Sequence, residues 1–346
     1  MKVTLKLPLN FTSLTNEHQA YFCNSFEYKP QRVRKIKNAF VTNNGIVLNG
    51  LNYVKESCYE PKSYRRKYWF YALKRKLLSK VSKWGKQHLF IYEQIDPVGI
   101  IHQPFFNYFH FTIESLTRWI ILTKEFPSSK ILIPDELIRI PYVHQWLDLL
   151  KINFIKVPES NNIKVNQLLV PTIVRWAGNH DATILKELRK RTLDALSKHK
   201  DLKEKGPSKI FIVRNGRRQI KNIAEIKSSL KEYGITFIDF DGMSVIEQVN
   251  IVRDAELIIG QHGAGLTNVI FAKENCTIVE IFIDPKDVNG VFDDEYYRIF
   301  NQLDFNYYCI FSNICSNNDD FYTSDSILSI KILNDMIQEI LKDNNF

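Results

Sequence analysis

Long apolar runs, cysteine pairs and internal repeats are all missing from this 346-residue sequence. No stretch approaches the roughly 18 consecutive apolar residues that span a membrane, so we expect no transmembrane helix. The N-terminus also lacks the apolar run of about 7–15 residues that a secretory signal needs. The five cysteines are scattered, without a CxxC pair or metal-ligand spacing, which is typical of a reduced cytoplasmic protein without structural zinc. We therefore expect a cytoplasmic protein.

Acidic residues are missing from one segment, residues 64–86. This segment contains nine Lys and Arg, whereas the rest of the chain carries 38 basic and 38 acidic residues, so the net charge of +9 belongs to it alone. Aromatic residues are interleaved with the basic ones, which is typical of membrane-interface helices, of nucleic-acid surfaces and of ordinary half-buried helices. We favour contact with an acceptor or with the inner face of a membrane, through Arg65, Lys74 and Trp84, and expect no nucleic acid.

The length and the alternation of strand and helix patterns predict two α/β domains. An Asn-Gly pair within residues 39–48 predicts a hairpin, and Asp181 is a natural N-cap for a helix from Ala182 to Ser197. A charged segment that ends in Gly206-Pro207 predicts the boundary. We expect Rossmann-like domains over residues 1–204 (on the acceptor side) and 205–315, then a helical tail over 316–346.

The second half has the clearer strand pattern. Its apolar segments are continuous, not alternating, which predicts parallel strands buried on both faces. The predicted strands are Lys209–Val213, Thr236–Phe240, Leu257–Ile259 and Thr277–Phe282. In open α/β sheets ligands bind at the carboxyl ends of the strands, so we expect the chemistry there, in a cleft between the domains.

A glycine-rich loop follows the predicted strand at 257–259. Gly263 and Gly265 would let a ligand approach the backbone closely, and a helix starting after them would offer N–H donors to a phosphate. His262 could donate to a phosphate or to a leaving-group oxygen. The alternative is a tight packing turn without a ligand.

Two further patterns carry possible chemistry. Arg214, Arg218 and Asn222 recur every four residues after a strand, which suits bidentate diphosphate binding unless they form a solvated basic loop. On a helix over 108–125, His110 and Glu114 would share one stripe with Arg118. That stripe could supply a general base and an acceptor-binding group, or be a plain solvated face.

Asp239 and Asp241 form a D-x-D triplet, a pattern by which some transferases hold a metal ion and a diphosphate. The triplet ends a predicted strand and precedes a capping-box pattern at Ser244, where acidic loop residues are common. We therefore favour an acidic loop over a metal site.

Together these motifs resemble glycosyltransferase family 61, and bacterial polysaccharide-synthesis members are the most similar in style. The R-x3-R-x3-N-x2-E pattern of the family is matched from Arg214 to Glu225, and its [IV]-[IV]-E-[IL] strand at Ile278–Ile281. Its N-[YF]-[YF]-H helix is matched from Asn107. The H-G-A-G-L-[ST]-N loop of the family is matched by His262, Gly263, Ala264, Gly265, Leu266, Thr267 and Asn268.

The resemblance implies a GT-B architecture, with two Rossmann-like domains facing a central cleft and a last helix packing back across their junction. It implies an inverting, metal-independent transferase with no required cofactor. The donor would be a nucleotide-sugar, UDP-linked by family resemblance alone, and the acceptor a carbohydrate or a lipid-linked glycan of a surface polysaccharide.

The resemblance also implies roles for single residues. The arginines, Asn222 and the glycine loop would hold the donor, and Glu280 its ribose hydroxyls. We expect Glu114 to be the base, with His110 as second choice. Asn107 and Arg118 would contact the acceptor. The alternative function is a non-catalytic basic protein that binds nucleic acid or an anionic membrane.

Overall fold

The computed structural model describes residues 1–28, 30–58, 62–173, 178–199, 205–315 and 320–343. The chain forms two compact units. The first comprises Met1–Val3, Glu27–His199 and Ser244–Ile246, and the second comprises Thr4–Phe26, Lys200–Met243 and Glu247–Phe346. The predicted boundary at residue 204 lies outside the described residues. The N-terminal segment Thr4–Phe26 groups with the second unit, although it opens the chain.

The strands are short and are distributed along the described part of the chain. In order they are β1 (Lys2–Thr4), β2 (Ser25–Glu27), β3 (Val33–Val41), β4 (Val47–Asn49), β5 (Asn52–Tyr53), β6 (Leu89–Tyr92), β7 (Val98–Gly99), β8 (Ile131–Pro134), β9 (Phe154–Val157), β10 (Asn162–Pro171), β11 (Lys209–Val213), β12 (Thr236–Asp239), β13 (Leu257–Gln261), β14 (Thr277–Ile283), β15 (Asn306–Ile314) and β16 (Ser326–Ile327). Strands β1 and β2 pair only with each other among the described strands.

The α-helices alternate with these strands. They are α1 (Asn16–Gln19), α2 (Lys62–Val81), α3 (Lys83–Gln87), α4 (Leu116–Glu125), α5 (Asp135–Ile138), α6 (Pro141–Leu149), α7 (Ala182–Leu196), α8 (Ile223–Ser229), α9 (Val245–Val252), α10 (Glu295–Gln302) and α11 (Ile330–Asp343). Within the described chain no helix is both long and apolar enough to cross a membrane.

The first unit contains a mixed sheet in the order β5-β4-β3-β10-β7-β8-β9, with β6 also paired to β10. Strands β10, β7, β8 and β9 run parallel, as predicted, but β3, β4 and β5 add an antiparallel side. The predicted hairpin is confirmed, since β3 and β4 pair across a turn in which Gly45 has a positive φ of 91°. Because this hairpin is part of the sheet, the sheet of the first unit is mixed and not the purely parallel sheet of a Rossmann-like domain.

The second unit contains a sheet in the order β12-β11-β13-β14-β15-β16, and its first five strands are parallel. Counted within the unit, this order is 2-1-3-4-5, a doubly wound arrangement whose direction of winding reverses between β11 and β13. Apolar residues of α8 and α11 cover one face and join the strands in a single core. Helix α11, which we expected to bridge the domains, contributes its buried side to this core.

The helix predicted over residues 108–125 has two parts. Residues His110–Ser115 form a π-helical turn, in which the Leu116 N–H donates to the Phe111 carbonyl, and α4 follows. Such turns are rare and occur mostly at functional positions. Asp181 caps α7 as predicted, because its side chain accepts from the Thr183 N–H.

Candidate active site

Two arginines meet the glycine loop where the winding of the second sheet reverses. Arg214 follows β11, and its Nη1 lies 3.4 Å from the carbonyl oxygen of His262 at the end of β13. Gly263 has a φ of 147°, and a β-carbon there would overlap the Arg214 guanidinium and lie 3.0 Å from Nη2 of Arg218. The absence of a side chain at Gly263 therefore makes room for the two guanidinium groups, so the two motifs meet.

Neither of these two positive charges is paired directly with a carboxylate among the described residues. No carboxylate of the described residues lies within ion-pair distance of Arg214 or Arg218, and Nε of Arg218 is buried without a hydrogen-bond partner. Burial lowers the pKa of Arg214, and burial together with the Arg214 charge lowers the pKa of Arg218 to about 10. Arg218 also has a left-handed backbone, with a φ of 59°. Two adjacent, partly desolvated cations held in this way are suited to binding an anion.

The loop that carries the arginines is anchored by the C-terminal segment. The Asn222 amide donates to the Leu328 carbonyl at 2.8 Å and accepts from the Leu328 N–H at 3.1 Å. Main-chain hydrogen bonds tie Gln219 and Lys221 to Ser326. We expected Asn222 to bind the nucleotide. Its amide nitrogen and oxygen both bond the Leu328 main chain, so the side chain positions the loop instead.

The rest of the glycine loop is built for packing. Residues Ala264–Phe271 form 3-10 turns, where we expected a regular helix start. A β-carbon at Gly265 would crowd Ile212, and Leu266 is fully buried. Thr267 bonds the Tyr296 hydroxyl at 2.9 Å, and the Asn268 amide donates to Gln248 at 2.7 Å.

These contacts give Leu266, Thr267 and Asn268 packing partners, and donor binding by the loop from Gly265 to Asn268 stays a prediction. Ala264 is exposed, and His262 and Gly263 lie beside the arginines.

His262 belongs to a buried network across three strands. Its Nδ1 lies 2.7 Å from Oε1 of Glu280 on β14, and the Tyr307 hydroxyl of β15 donates to Oε2 of the same carboxylate at 2.7 Å. Glu280 is fully buried, and burial raises its pKa. Because both carboxylate oxygens are used inside the protein, Glu280 does not offer itself to ribose hydroxyls as we expected. It orients His262, whose Nε2 is left for other contacts.

In the first unit, the π-helical turn pairs His110 with Glu114. Nδ1 of His110 lies 2.8 Å from Oε2 of Glu114, and Gln103 donates to the same oxygen. The Glu114 side chain is completely buried, whereas the His110 side chain keeps 18% of its exposure. Asn107 caps this turn by accepting the His110 N–H at 3.0 Å. Its side-chain oxygen therefore supports His110, although we expected it to contact the acceptor.

Arg118 is not the surface group that its position in the stripe predicted. It is fully buried, and its guanidinium donates to the carbonyls of Ile101 and His102, in the segment after β7, and of Pro171 at the end of β10. Burial lowers its pKa to about 10. Arg118 therefore ties α4 to the sheet and offers no exposed surface to an acceptor.

Two residues of this cluster were missed by the sequence patterns. Gln103 lies in an irregular segment after β7 and gave no signal. His180 directly precedes the N-cap Asp181, is fully buried, and interacts electrostatically with Glu114. Burial lowers its pKa to about 4, and the Glu114 charge only partly opposes this. The Asn-His-Asp sequence around His180 fits an ordinary helix cap, so it did not indicate a site residue.

The acidic groups differ in their suitability for a metal ion. Asp239 receives the Asp241 N–H at 2.9 Å and contacts the Asn215 amide, so the D-x-D triplet forms a hydrogen-bonded turn. In the described chain, one group of ligand atoms lies within 4.8 Å of one another, from His262, Asp293 and Glu295. That group, and not the triplet, is where a cation would find three ligands.

The basic segment forms α2 and α3, with one packed side and one exposed side. Ala72 is buried, and Tyr68, Trp69 and Leu73 pack against the β3–β4 hairpin. Arg65 and Lys74 are exposed. Six large apolar side chains are also exposed on these helices: Tyr64, Phe70, Tyr71, Leu77, Val81 and Trp84. Both the structural and the surface interpretations therefore describe part of the segment, and contact with a membrane or an acceptor stays a prediction.

Comparison with known proteins places these sites in one family. The family model described as glycosyltransferase 61 matches residues 108–279, which take in His110, both arginines and His262. A 61-residue stretch is 41% identical to the beta-1,2-xylosyltransferase of Arabidopsis thaliana, and covers 17% of this chain and 11% of the plant protein. The similarity to that relative thus spans about a tenth of its length. The chain belongs to the glycosyltransferase 61 family.

Proposed function

We propose that this protein is an inverting, metal-independent glycosyltransferase of the GT-B type. It transfers a sugar from a nucleotide-sugar, UDP-linked, to a hydroxyl group of a carbohydrate or lipid-linked glycan acceptor in surface polysaccharide synthesis. The second unit binds the donor, and the first unit supplies the acceptor chemistry.

The observation that carries this proposal is the pair of uncompensated arginines at the reversal point of the second sheet. Two guanidinium groups beside Gly263 can each form bidentate hydrogen bonds to a diphosphate, whose charge offsets theirs. This position is the one at which doubly wound sheets bind ligands. A diphosphate neutralised by two arginines has no need of a metal ion, which supports transfer without one.

His262 supports the departure of the nucleoside diphosphate. Its Nδ1 lies 2.7 Å from the buried Glu280 carboxylate, which fixes the orientation of the ring, and Nε2 is a hydrogen-bond donor when it carries a proton. Nε2 can then donate to a diphosphate oxygen as negative charge develops on it. Glu280 and Tyr307 act through His262 as positioning residues.

The base on the acceptor side is His110, with Glu114 as its positioning partner. We expected the reverse order, but Glu114 is buried and its Oε2 is already engaged by His110 and Gln103. With Nδ1 bound to Glu114, Nε2 of His110 removes the acceptor hydroxyl proton. The acceptor oxygen forms a bond to the anomeric carbon while the bond from that carbon to the diphosphate breaks, which inverts its configuration.

Nucleotide binding and sugar transfer test the donor assignment together. We expect UDP to bind, and Arg214→Ala and Arg218→Ala each to weaken it about 10- to 100-fold, because each removes charge-assisted hydrogen bonds. Isothermal titration calorimetry measures the dissociation constants. Transfer from a panel of UDP-, GDP-, dTDP- and CMP-linked sugars, with and without EDTA, measures activity.

Arg217→Ala is the matched control, because Arg217 lies in the same loop but is exposed. It should bind UDP as the unaltered protein does. If no nucleotide binds and no sugar of the panel is transferred, the non-catalytic alternative replaces this proposal. If EDTA abolishes transfer, the metal-independent part is wrong and the His262, Asp293 and Glu295 group becomes the place to look.

A further inference from the structure

A cavity opens within the second unit, next to Arg214. It has a volume of about 390 Å³ and lies between the carboxyl ends of β11, β12 and β13 and the first turn of α8. Pockets of about 300–1,000 Å³ hold small-molecule ligands in proteins. Arg214 forms part of the wall, so the cavity adjoins the proposed diphosphate site without coinciding with it.

Gln261 is the unusual residue of this wall. It is 93% buried at the end of β13, and neither its side-chain oxygen nor its nitrogen has a hydrogen-bond partner in the described part of the chain. Leaving a buried polar group unpaired costs about 1–3 kcal/mol. An amide left without partners in the wall of a cavity is suited to a ligand that presents a donor and an acceptor side by side.

The other walls suit a flat, partly apolar ligand. Phe211 and Phe237 stack with their ring centres 4.9 Å apart, and Ile223 and Ala224 of α8 lie on the same wall. Asp239 stands at the end of β12, with a carboxylate that can accept further hydrogen bonds. Glu280 is fully engaged elsewhere, so Asp239 is the carboxylate in this region that can receive ribose hydroxyls, as an acidic residue after the second strand does in other nucleotide-binding sheets.

We propose that this cavity binds the nucleoside of the donor, with the Gln261 amide hydrogen-bonded to the edge of the base and Asp239 to the ribose. The inference rests on the proposed function, because it assumes that Arg214 and Arg218 hold the diphosphate to which this nucleoside is joined. A uracil base presents N3–H beside O4, and the Gln261 amide matches that pair with its oxygen and its nitrogen. Gln261 is then a residue that determines donor specificity.

Substitutions that alter the cavity without touching the arginines test the inference. Gln261→Leu replaces the amide with an apolar side chain of similar size, and we expect UDP to bind about 10-fold more weakly. Ala224→Tyr fills the cavity from an exposed helix position, and we expect a loss of 10-fold or more. Inorganic pyrophosphate, which has no nucleoside, should bind both variants as it binds the unaltered protein.

Two controls keep folding defects separate from lost contacts. Ser228→Tyr places the same ring on α8, at an exposed position outside the cavity wall, and should leave UDP affinity unchanged. Gln261→Leu should melt at the same temperature as the unaltered protein or higher, because it removes an unpaired buried amide.

The outcomes distinguish an error in the nucleoside cavity from an error in the proposed function. If UDP binds no more tightly than pyrophosphate, or if Gln261→Leu and Ala224→Tyr leave UDP affinity unchanged, the nucleoside cavity is wrong while the diphosphate site stands. If UDP, GDP, dTDP, CMP and pyrophosphate all fail to bind the unaltered protein, the proposed function itself falls. A GDP affinity above that for UDP would overturn the assignment of Gln261 to uracil.

Discussion

Each unit of this protein contains a histidine held by a buried glutamate, and the two pairs are built differently. In the first unit, Nδ1 of His110 lies 2.8 Å from Glu114, four residues later on one helical turn. In the second unit, Nδ1 of His262 lies 2.7 Å from Glu280, 18 residues later on the neighbouring strand. One pair follows from local spacing, whereas the other requires β13 and β14 to lie side by side in register.

The surroundings of the two carboxylates also differ. Both oxygens of Glu280 have partners, His262 and Tyr307, whereas Oε1 of Glu114 has none in the described part of the chain. The His262 side chain retains 6% of its exposure and the His110 side chain 18%. A closed network suits a fixed orienting role, and a more accessible histidine suits proton transfer. We therefore assign a base to the first unit and a positioned donor to the second.

Removing the base should have the largest effect. We expect His110→Gln to lower the rate constant for transfer about 10²- to 10⁴-fold, the contribution of a general base, while UDP affinity stays unchanged. Steady-state kinetics with the active donor measure the rate, and calorimetry the affinity. If His110→Gln transfers sugar at a normal rate, the comparison between the two histidines fails.

Glu114→Gln is the companion variant, because it keeps the shape of the side chain and removes its charge. It should slow transfer less than His110→Gln does, because the imidazole that removes the proton is kept while the negative charge beside it is lost. A Glu114→Gln protein that is slower than His110→Gln would return the role of base to the carboxylate.

Breaking the closed network should mainly cost stability. We expect Glu280→Ala to lower the free energy of unfolding by about 3 kcal/mol, because both hydrogen bonds to the buried side chain are lost and a cavity is left in its place. Tyr307→Phe, which removes one of these bonds and no charge, should cost about 1 kcal/mol. Urea unfolding measures both. Equal and negligible losses would mean that the network does not hold His262 in place.

Lowering the pH should destabilise the first unit, whereas protonation of Glu280 should stabilise the second. Burial lowers the pKa of His102 to about 3 and that of His180 to about 4, so below pH 6.5 the unfolded chain takes up protons that the folded first unit does not. Stability of the first unit should fall by about 2 kcal/mol for each histidine between pH 7 and pH 5. Burial raises the pKa of Glu280, so its contribution to the second unit improves as the pH falls through that raised value.

Hydrogen exchange resolved by unit measures this difference at pH 7 and pH 5. His144→Gln is the matched control, because it removes a histidine of the same unit at an exposed position. His180→Gln should flatten it in the first unit alone. If both units lose protection equally in acid, the buried histidines are not its cause.

Local patterns predicted much of the fold. Strand β11 has the bounds predicted for it, the Asn-Gly hairpin forms, and Asp181 caps α7. These features depend on residues a few positions apart, so the sequence contains their causes. The antiparallel side of the first sheet and the grouping of Thr4–Phe26 with the second unit depend on distant contacts, and no local pattern indicated them.

For the candidate site too, the sequence indicates some features and only the folded structure shows the others. The spacing of His110 and Glu114, and the family motifs around Arg214 and His262, are visible in the bare sequence because they are short patterns of residue types. Whether a side chain is available is not visible there. In the folded protein, Arg118 is buried and donates to main-chain carbonyls, and both oxygens of Glu280 have partners. Asn222 anchors a loop, and the Gln261 amide has no partner in the described part of the chain. The physical reason is that residue type sets what a side chain can do, whereas packing sets which of its atoms a substrate can reach.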